Sequence, residues 1–131
     1  MRAWYAPLRV AAKQYNSYMS ILIVDYGMAN LRSVQKAFEK VGAAAEISSD
    51  PHRVKAASKV VLPGVGAFQD AIAKLRETGL ADAVTEHIAT GKPLFGICLG
   101  LQVLFEGSEE APGRAGLGLA PELFVEFADQ R

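Results

Sequence analysis

The sequence predicts an α/β fold with a doubly wound, mostly parallel sheet and helices on both of its faces. The first observation behind this prediction is a series of short runs rich in Val, Ile and Leu, which are typical of strands buried on both faces. The second is that amphipathic helical patterns separate these runs along the chain. Right-handed crossovers would then place helices on each side of the sheet.

The first strand is predicted in the β-branched run at residues 20–25, which ends in a glycine-containing turn. Asn30 is expected to cap the helix that follows, and Gly42 to end it. The apolar stripe of this helix recurs at helical spacing and consists of Leu31, Val34, Phe38 and Val41.

The second strand is predicted at residues 44–48. Asp50 followed by Pro51 indicates an N-cap and a first helical position, so a short helix through about Ala57 is expected. The third strand is predicted at residues 59–63 and runs directly into a glycine-rich loop.

Two helices are predicted between the third and fourth strands, at residues 68–76 and 80–89, with Gly79 between them. The fourth strand is predicted at residues 93–97. Farther on, three less regular stretches read as a loop, the start of a strand and a β-like alternation, at residues 111–116, 117–119 and 123–127.

The functional crevice of a doubly wound sheet lies at the carboxyl ends of its strands. With the strand order 2-1-3-4, three connections meet there: residues 25–30, residues 63–66 and the turn at Cys98. We therefore expect the functional residues among these three loops.

Cys98 is the only cysteine, and it lies between Gly96 and Gly100 after a strand and before a helical pattern. A strand, a one-residue turn and a helix form the nucleophile elbow of many hydrolases, in which the central residue is strained and projects from both elements. The N-terminal end of a helix also stabilises a thiolate. The alternative is a small apolar cysteine buried at a strand end.

A thiolate that attacks an amide carbonyl creates an oxyanion, and each preorganised donor to it is worth about 3 kcal/mol. The backbone N–H of Leu99 is one natural donor, and the peptide at Val65, between Gly64 and Gly66, is a second. The alternative reading of this glycine-rich segment is a plain turn. A nucleotide-binding domain is a further alternative, but the chain has no phosphate-cradling loop of either common type.

A cysteine nucleophile normally needs a general base, usually a histidine. The chain has two histidines, and we expect neither to reach Cys98. His52 opens the helix after the second strand, about 14 Å from the fourth strand. His87 lies toward the end of its helix, near the opposite edge of the sheet. Both are interpreted as solvated helix residues, so the nucleophile is predicted without its base.

Basic and acidic residues number 14 each, which gives no electrostatic case for binding nucleic acid or an anionic membrane. A single cysteine excludes an internal disulfide and fits a reducing compartment, so a cytoplasmic location is expected. No apolar run is long enough to span a bilayer. We expect no nucleic-acid partner, no membrane partner, no cofactor and no metal.

Residues 1–18 carry basic but no acidic side chains. An organelle-targeting segment is one interpretation, but the stretch has little serine, no clear amphipathic face and no continuous apolar core of a secretory signal. We interpret it as an N-terminal extension outside the fold, with one domain spanning residues 19–131.

Three motifs together carry a resemblance to one family. The segments DYGMANLRSV at 25–34, LPGVG at 62–66 and GICLGLQ at 96–102, with SEE at 108–110, resemble the glutamine amidotransferase subunit of imidazole glycerol phosphate synthase. That family belongs to the class I, or triad, glutamine amidotransferases, whose fold is flavodoxin-like. The cysteine motif alone indicates the superfamily, and the other motifs indicate the histidine-pathway member.

The resemblance implies a role for each matching residue. Cys98 would attack the side-chain amide of glutamine, form a glutamyl thioester and release ammonia. Leu99, Val65 and Gly66 would form the oxyanion hole, which the peptide at Val65 completes by turning. The residues that would hold the glutamine substrate are Gly64, Gly100, Gln102 and Glu110. For Glu110 the alternative is a solvated acid after a helix.

The resemblance also implies a partner, a barrel-shaped cyclase subunit that receives the ammonia and makes imidazole glycerol phosphate. The residues that would lie near the partner-facing end are Asp25, Tyr26, Gly27 and Asn30.

The sequence departs from the family pattern in one respect that bears on activity. The family completes its triad with a His and a Glu nearer the C-terminus, and no residue here matches them. The chain therefore reads as the N-terminal two-thirds of an amidotransferase domain, with an incomplete fold. It is either an ammonia-supplying amidotransferase or, alternatively, a catalytically inactive fragment that at most binds glutamine or the cyclase.

Overall fold

The computed structural model describes residues 21–105 and 116–119, and in these residues it shows a four-stranded parallel sheet with helices. The strands lie in the order β2-β1-β3-β4, and they are β1 (Ile21–Val24), β2 (Ala45–Ser48), β3 (Lys59–Leu62) and β4 (Leu94–Gly96). The helices are α1 (Leu31–Lys40), α2 (Pro51–Ala56), α3 (Phe68–Glu77), α4 (Leu80–Ala89) and α5 (Leu99–Gln102). The predicted fold class and strand order are confirmed.

Side chains of the two central strands alternate between the faces of the sheet. Ile23 and Val61 are buried on one face. Helix α1 contacts β1 and β2 but adds no residue to the main apolar cluster, so it covers this same face. The strand residues that pack with α2, α3 and α4 on the other face are Leu22, Val24, Val60 and Leu62. Helices therefore lie on both faces, as the pattern predicts.

The helix boundaries follow the predicted signals, with a difference at one N-cap. Asp50 caps α2 as expected, because its side chain accepts a 2.9 Å hydrogen bond from the backbone N–H of His52. Asn30 holds the N-cap position of α1, as predicted, but its side chain makes no capping hydrogen bond. The predicted cap is therefore confirmed in its position and is wrong in its hydrogen bond. Helix α1 has no fully buried residue, and Val41 at its end is 55% exposed.

Residues 117–119 form no strand, so the prediction of one there is wrong. Their backbone N–H groups instead donate to carbonyl oxygens of residues 103–105, at 2.6 to 3.0 Å. These carbonyls follow the short helix α5, and the returning segment supplies donors to them. The predicted extension at 1–18, the residue Glu110 and the β-like stretch at 123–127 lie outside the described residues.

Candidate active site

Ile97 and Cys98 connect β4 to α5, and Cys98 holds the N-cap position with φ 52° and ψ −120°. Within the described ranges it is the only residue other than glycine with a positive φ. This region of backbone space is costly for a residue that carries a Cβ. The cysteine is also exposed, so the buried-cysteine alternative is wrong and the predicted strained, projecting geometry is confirmed.

The glycines on either side of Cys98 allow β4 to lie close to α5, and α5 to lie close to the end of β3. A Cβ on Gly100 would collide with the carbonyl oxygen of Leu62, and a Cβ on Gly96 would lie 2.7 Å from the Cα of Leu101. Neither glycine has a positive φ, so both are required for space and not for conformation. The turn at Cys98 is therefore packed directly against the end of β3.

Helix α5 is a single turn, so it is shorter than the helix predicted from the helical pattern after Cys98. The chain continues as turns to Phe105, so Leu101 and Phe105 do not share one helix. Gln102 is exposed, and its N–H donates to the carbonyl oxygen of Cys98 at 3.1 Å. Its side chain therefore emerges one helical turn after the cysteine.

The glycine-rich loop lies against the turn at Cys98, as predicted. A Cβ on Gly64 would lie 3.0 Å from the backbone nitrogen of Gly100 and 3.1 Å from the Cβ of Leu99. Val65 is 58% exposed, and Gly66 adopts φ 111°, which a residue with a side chain rarely takes. The loop, with Val65 exposed, thus packs against the turn that carries the exposed cysteine.

Neither predicted oxyanion donor is free in this structure. The N–H of Leu99 donates to the carbonyl oxygen of Gly64 at 3.3 Å, and the N–H of Val65 donates to the carbonyl oxygen of Met28 at 2.7 Å. The Gly64 carbonyl and the Val65 N–H belong to one peptide group, in which they point in opposite directions. This one peptide therefore contains one of the two donors, the Val65 N–H, and the oxygen that occupies the other, the Leu99 N–H.

The loop after β1 completes the crevice. Tyr26 is 4% exposed, and its hydroxyl donates a 2.7 Å hydrogen bond to the carbonyl oxygen of Pro63. Desolvation by burial raises the pKa of Tyr26 from 10.0 to about 12, so its hydroxyl remains a donor at neutral pH. The N–H of Gly27 donates to the Asp25 carboxylate at 3.1 Å. The predicted meeting of the three loops is confirmed.

The residues predicted near a partner-facing end differ in exposure. Gly27 and Asn30 are exposed and Asp25 is half-buried, whereas the side chain of Tyr26 is buried. Tyr26 therefore offers no side-chain surface to a partner in this structure.

The prediction for His52 is confirmed and that for His87 is wrong. His52 is exposed at the start of α2, next to β2, and β2 is separated from β4 by two strands. His87 is fully buried, and its Nε2 lies 2.8 Å from the carbonyl oxygen of Pro93. Because a carbonyl only accepts, the proton is assigned to Nε2. His87 is thus a core residue. Its burial and its hydrogen bond to the Pro93 carbonyl keep its ring from Cys98.

Sequence reasoning missed the two groups that hold the glycine-rich loop, the hydroxyl of Tyr26 and the carbonyl of Met28. A backbone carbonyl leaves no signal in a sequence. The burial of Tyr26 does leave one, because it continues the alternation of Leu22 and Val24 on the buried face of β1.

Within residues 21–105 and 116–119 no group of three His, Cys, Asp or Glu side chains could hold a metal ion. None of the helices described there has both the length and the apolar character needed to cross a membrane.

Comparison with known families identifies the family to which the chain with this crevice belongs. The profile of the family described as Glutamine amidotransferase class-I matches residues 22–116. The chain belongs to the class-I glutamine amidotransferases. The match begins within β1 of this amidotransferase and extends beyond α5, and so it includes all three loops of the crevice.

Curated relatives of this amidotransferase chain carry the name imidazole glycerol phosphate synthase subunit HisH. The protein from Syntrophotalea carbinolica is 51% identical over 107 residues, which cover 82% of this chain and 52% of that protein. The protein from Methanothermobacter thermautotrophicus is 54% identical over 101 residues, covering 77% of this chain and 50% of that protein. The chain thus spans about half the length of the curated relatives that it matches.

Solved structures agree with the fold. A structure described as a glutamine amidotransferase superposes with a TM-score of 0.65 at 22% identity, covering 76% of this amidotransferase chain and 52% of that one. A putative peptidase E protein from Listeria monocytogenes superposes with a TM-score of 0.60 at 15% identity, covering 86% and 70%. At these identities the likeness bears on the fold alone.

Proposed function

We propose that this chain carries the nucleophile and the oxyanion hole of the glutaminase subunit of imidazole glycerol phosphate synthase. The observation that carries this proposal is the position of Cys98, exposed at a strained turn whose next two residues pack against Gly64 of the glycine-rich loop. The names of the relatives, about 50% identical to this chain, support the choice of synthase within the class-I family.

In the proposed reaction the thiolate of Cys98 attacks the carbonyl carbon of the glutamine side-chain amide. The C–N bond then breaks, ammonia leaves, and a glutamyl thioester remains on the sulfur. Water cleaves the thioester to glutamate and restores the thiol. In both steps a negative charge develops on the former carbonyl oxygen, and this charge requires donors.

The resting hydrogen bonds indicate how those donors would become available. A turn of the Gly64–Val65 peptide breaks two bonds at once, frees the N–H of Leu99 and directs the N–H of Val65 toward the cysteine side. Each neutral hydrogen bond contributes about 1 kcal/mol net. Bonds to a full negative charge are roughly twice as strong, so the oxyanion itself favours the turned peptide. The 3.3 Å bond from Leu99 is long, so the 2.7 Å bond to Met28 is the main one to be replaced.

The substrate would lie along the exposed face of this crevice. We propose that the backbones of Gly64 and Gly100 contact the substrate together with the side chain of Gln102, which is exposed one helical turn after the cysteine. We propose that Glu110, outside the described residues, pairs with the amino group of glutamine, since a carboxylate forms a charge-assisted hydrogen bond with an ammonium group.

The proton transfers need a base that neither His52 nor His87 supplies in this structure. The resemblance implies a His and a Glu from a later part of the family's sequence, and we propose that these complete the site. We also propose that the subunit works in the cytoplasm as half of a heterodimer. Its ammonia would pass to a barrel-shaped cyclase, a lyase, bound near Asp25, Gly27 and Asn30.

A chloromethyl ketone analogue of glutamine tests this proposal without requiring the missing base. We expect it to alkylate Cys98 faster than chloroacetone does, as measured by peptide mass spectrometry. Glutamine should protect the thiol, and asparagine, one methylene shorter, should protect it far less. Equal rates with the two ketones, or no protection by glutamine, would show that no glutamine site adjoins this cysteine.

A further inference from the structure

Tyr26 stands apart from the other core residues of β1 and its loop because its polar atom is bonded to the active-site loop. Its ring continues the buried face of β1, while its hydroxyl donates to the carbonyl oxygen of Pro63 at 2.7 Å. That oxygen belongs to the Pro63–Gly64 peptide, which directly precedes the peptide that keeps the oxyanion donors occupied.

The same hydroxyl limits the space around Gly64. A Cβ on Gly64 would collide with the Tyr26 oxygen and would also lie 3.1 Å from the Cβ of Leu99. The Tyr26 hydroxyl and the turn that carries the cysteine therefore both pack around the Cβ position of Gly64. A displacement of Tyr26 would change the packing of Gly64 and of this turn.

The three hydrogen bonds on this loop have different fates when the Gly64–Val65 peptide turns. The bonds from Val65 to Met28 and from Leu99 to Gly64 both break, because each uses an atom of the turning peptide. The bond from Tyr26 uses an atom of the preceding peptide and can persist. The Tyr26 hydrogen bond thus holds the peptide that directly precedes the rotating one.

We propose that Tyr26 is a positioning residue that holds the Pro63–Gly64 peptide still, so that rotation is confined to the Gly64–Val65 peptide and its N–H arrives beside that of Leu99. This inference rests on the proposed function. The hydroxyl suits the task because burial keeps it protonated, with a pKa of about 12, and because it is directed at one carbonyl. Without it the rotation spreads over two peptides, and the two donors no longer converge on one oxygen.

Two reagents separate this role from a purely structural one. With the chloromethyl ketone analogue of glutamine, the sulfur bonds to the ketone carbon and the carbonyl electron pair moves to oxygen, giving an oxyanion. The sulfur then bonds to the neighbouring methylene carbon as chloride leaves, and the bond between sulfur and the former ketone carbon breaks as the carbonyl re-forms. With iodoacetamide, the sulfur displaces iodide directly and no oxyanion forms. Only the first reaction depends on the oxyanion hole.

The experiment compares the unsubstituted 131-residue chain with Tyr26→Phe, using the rate of each reagent at Cys98. We expect the ketone rate to fall about tenfold in Tyr26→Phe, part of what a full oxyanion donor contributes. The iodoacetamide rate should change less than about twofold, since no donor takes part in that step. Thr78→Val is the matched control, because Thr78 donates a 2.7 Å hydrogen bond to a carbonyl at the end of α3, away from the crevice.

The outcomes separate the two proposals. If the unsubstituted chain reacts with the glutamine ketone no faster than with chloroacetone, the proposed function fails. If it does prefer the glutamine ketone but Tyr26→Phe keeps the same ratio of ketone to iodoacetamide rates, the role of Tyr26 is overturned. Should Tyr26→Phe be unfolded in buffer, the same ratio is measured in trimethylamine N-oxide, which favours the compact state.

Discussion

The backbone N–H of Val65 donates a 2.7 Å hydrogen bond to the carbonyl oxygen of Met28. This bond ties the glycine-rich loop after β3 to the loop after β1 and occupies one of the two proposed oxyanion donors, while the Gly64 carbonyl occupies the other. A nucleophile with no place for the charge it creates is inactive however exposed it is. Under the proposed function, this is therefore a resting arrangement, to which the loop after β1 contributes.

The first prediction concerns the close packing behind the cysteine. Gly100→Ala should lower the free energy of unfolding by about 3 kcal/mol or prevent folding, because the new Cβ collides with the Leu62 carbonyl and neither backbone can retreat. Gly91→Ala is the matched control. It has φ 80° but no atom within 4 Å of the added Cβ, so it should cost only the conformational strain of about 1 kcal/mol. Urea denaturation measures both, and equal losses would contradict the steric account.

The second prediction concerns the strain at Cys98. Cys98→Gly should raise the free energy of unfolding by about 1 kcal/mol relative to Cys98→Ala, because glycine relieves the cost of φ 52° whereas alanine keeps the Cβ. Both variants lack the thiol, so the comparison isolates the backbone. A Cys98→Gly protein that is less stable than Cys98→Ala would show that the turn is not strained.

The third prediction concerns turnover. The 131-residue chain should release ammonia from glutamine no faster than its Cys98→Ala variant, even with a cyclase subunit present, because neither histidine is available to the thiol. A coupled ammonia assay measures the rate. Turnover above the Cys98→Ala rate would be contrary to this account, and its loss in His52→Ala would then identify His52 as the base.

The fourth prediction concerns alkaline pH. The folded-state pKa of Tyr26 is about 12 against an ordinary value of 10.0, so the folded protein binds this proton more tightly than the unfolded chain does. The resulting stability is fully present below pH 10 and is lost as pH rises toward 12, by roughly 2–3 kcal/mol. Tyr26→Phe should be less stable than the unsubstituted chain at pH 8, by about 1 kcal/mol, and lack this alkaline loss.

The difference in unfolding free energy between these two proteins, followed from pH 8 to pH 12, tests the fourth prediction, since contributions of the other tyrosines and lysines cancel. We expect the difference to shrink and then reverse. A constant difference across this range would mean that the Tyr26 hydroxyl titrates as a solvated phenol.

Much of this architecture could be predicted because it depends on local signals. The periodicity of apolar residues, with glycine and proline between the apolar runs, identified β1 to β4 and their connections. The Gly-x-Cys-x-Gly spacing indicated a strained turn, and the φ of Cys98 confirms it. These features are determined by a few neighbouring residues. The strand order then placed three loops at one end of the sheet without further information.

The features that could not be predicted depend on contacts between distant segments. His87 follows helical spacing that suits either a solvated or a core residue, and only the packing of α4 against α2 and α3 decides that it is buried. The short span of α5 likewise reflects residues 117–119, which take over the carbonyls after it. The occupied oxyanion donors could not be foreseen because their partners are backbone carbonyls.

Hydrogen-bond couplings in the NMR spectrum of the labelled chain test the central claim, that one peptide controls both donors, most directly. The free protein should show couplings from the Val65 nitrogen to the Met28 carbonyl carbon and from the Leu99 nitrogen to the Gly64 carbonyl carbon. In the tetrahedral adduct that Cys98 forms with the aldehyde analogue of glutamine, whose oxygen takes the place of the oxyanion, we expect both couplings to disappear together. Retention of either coupling in the adduct, or loss of one without the other, would contradict the account.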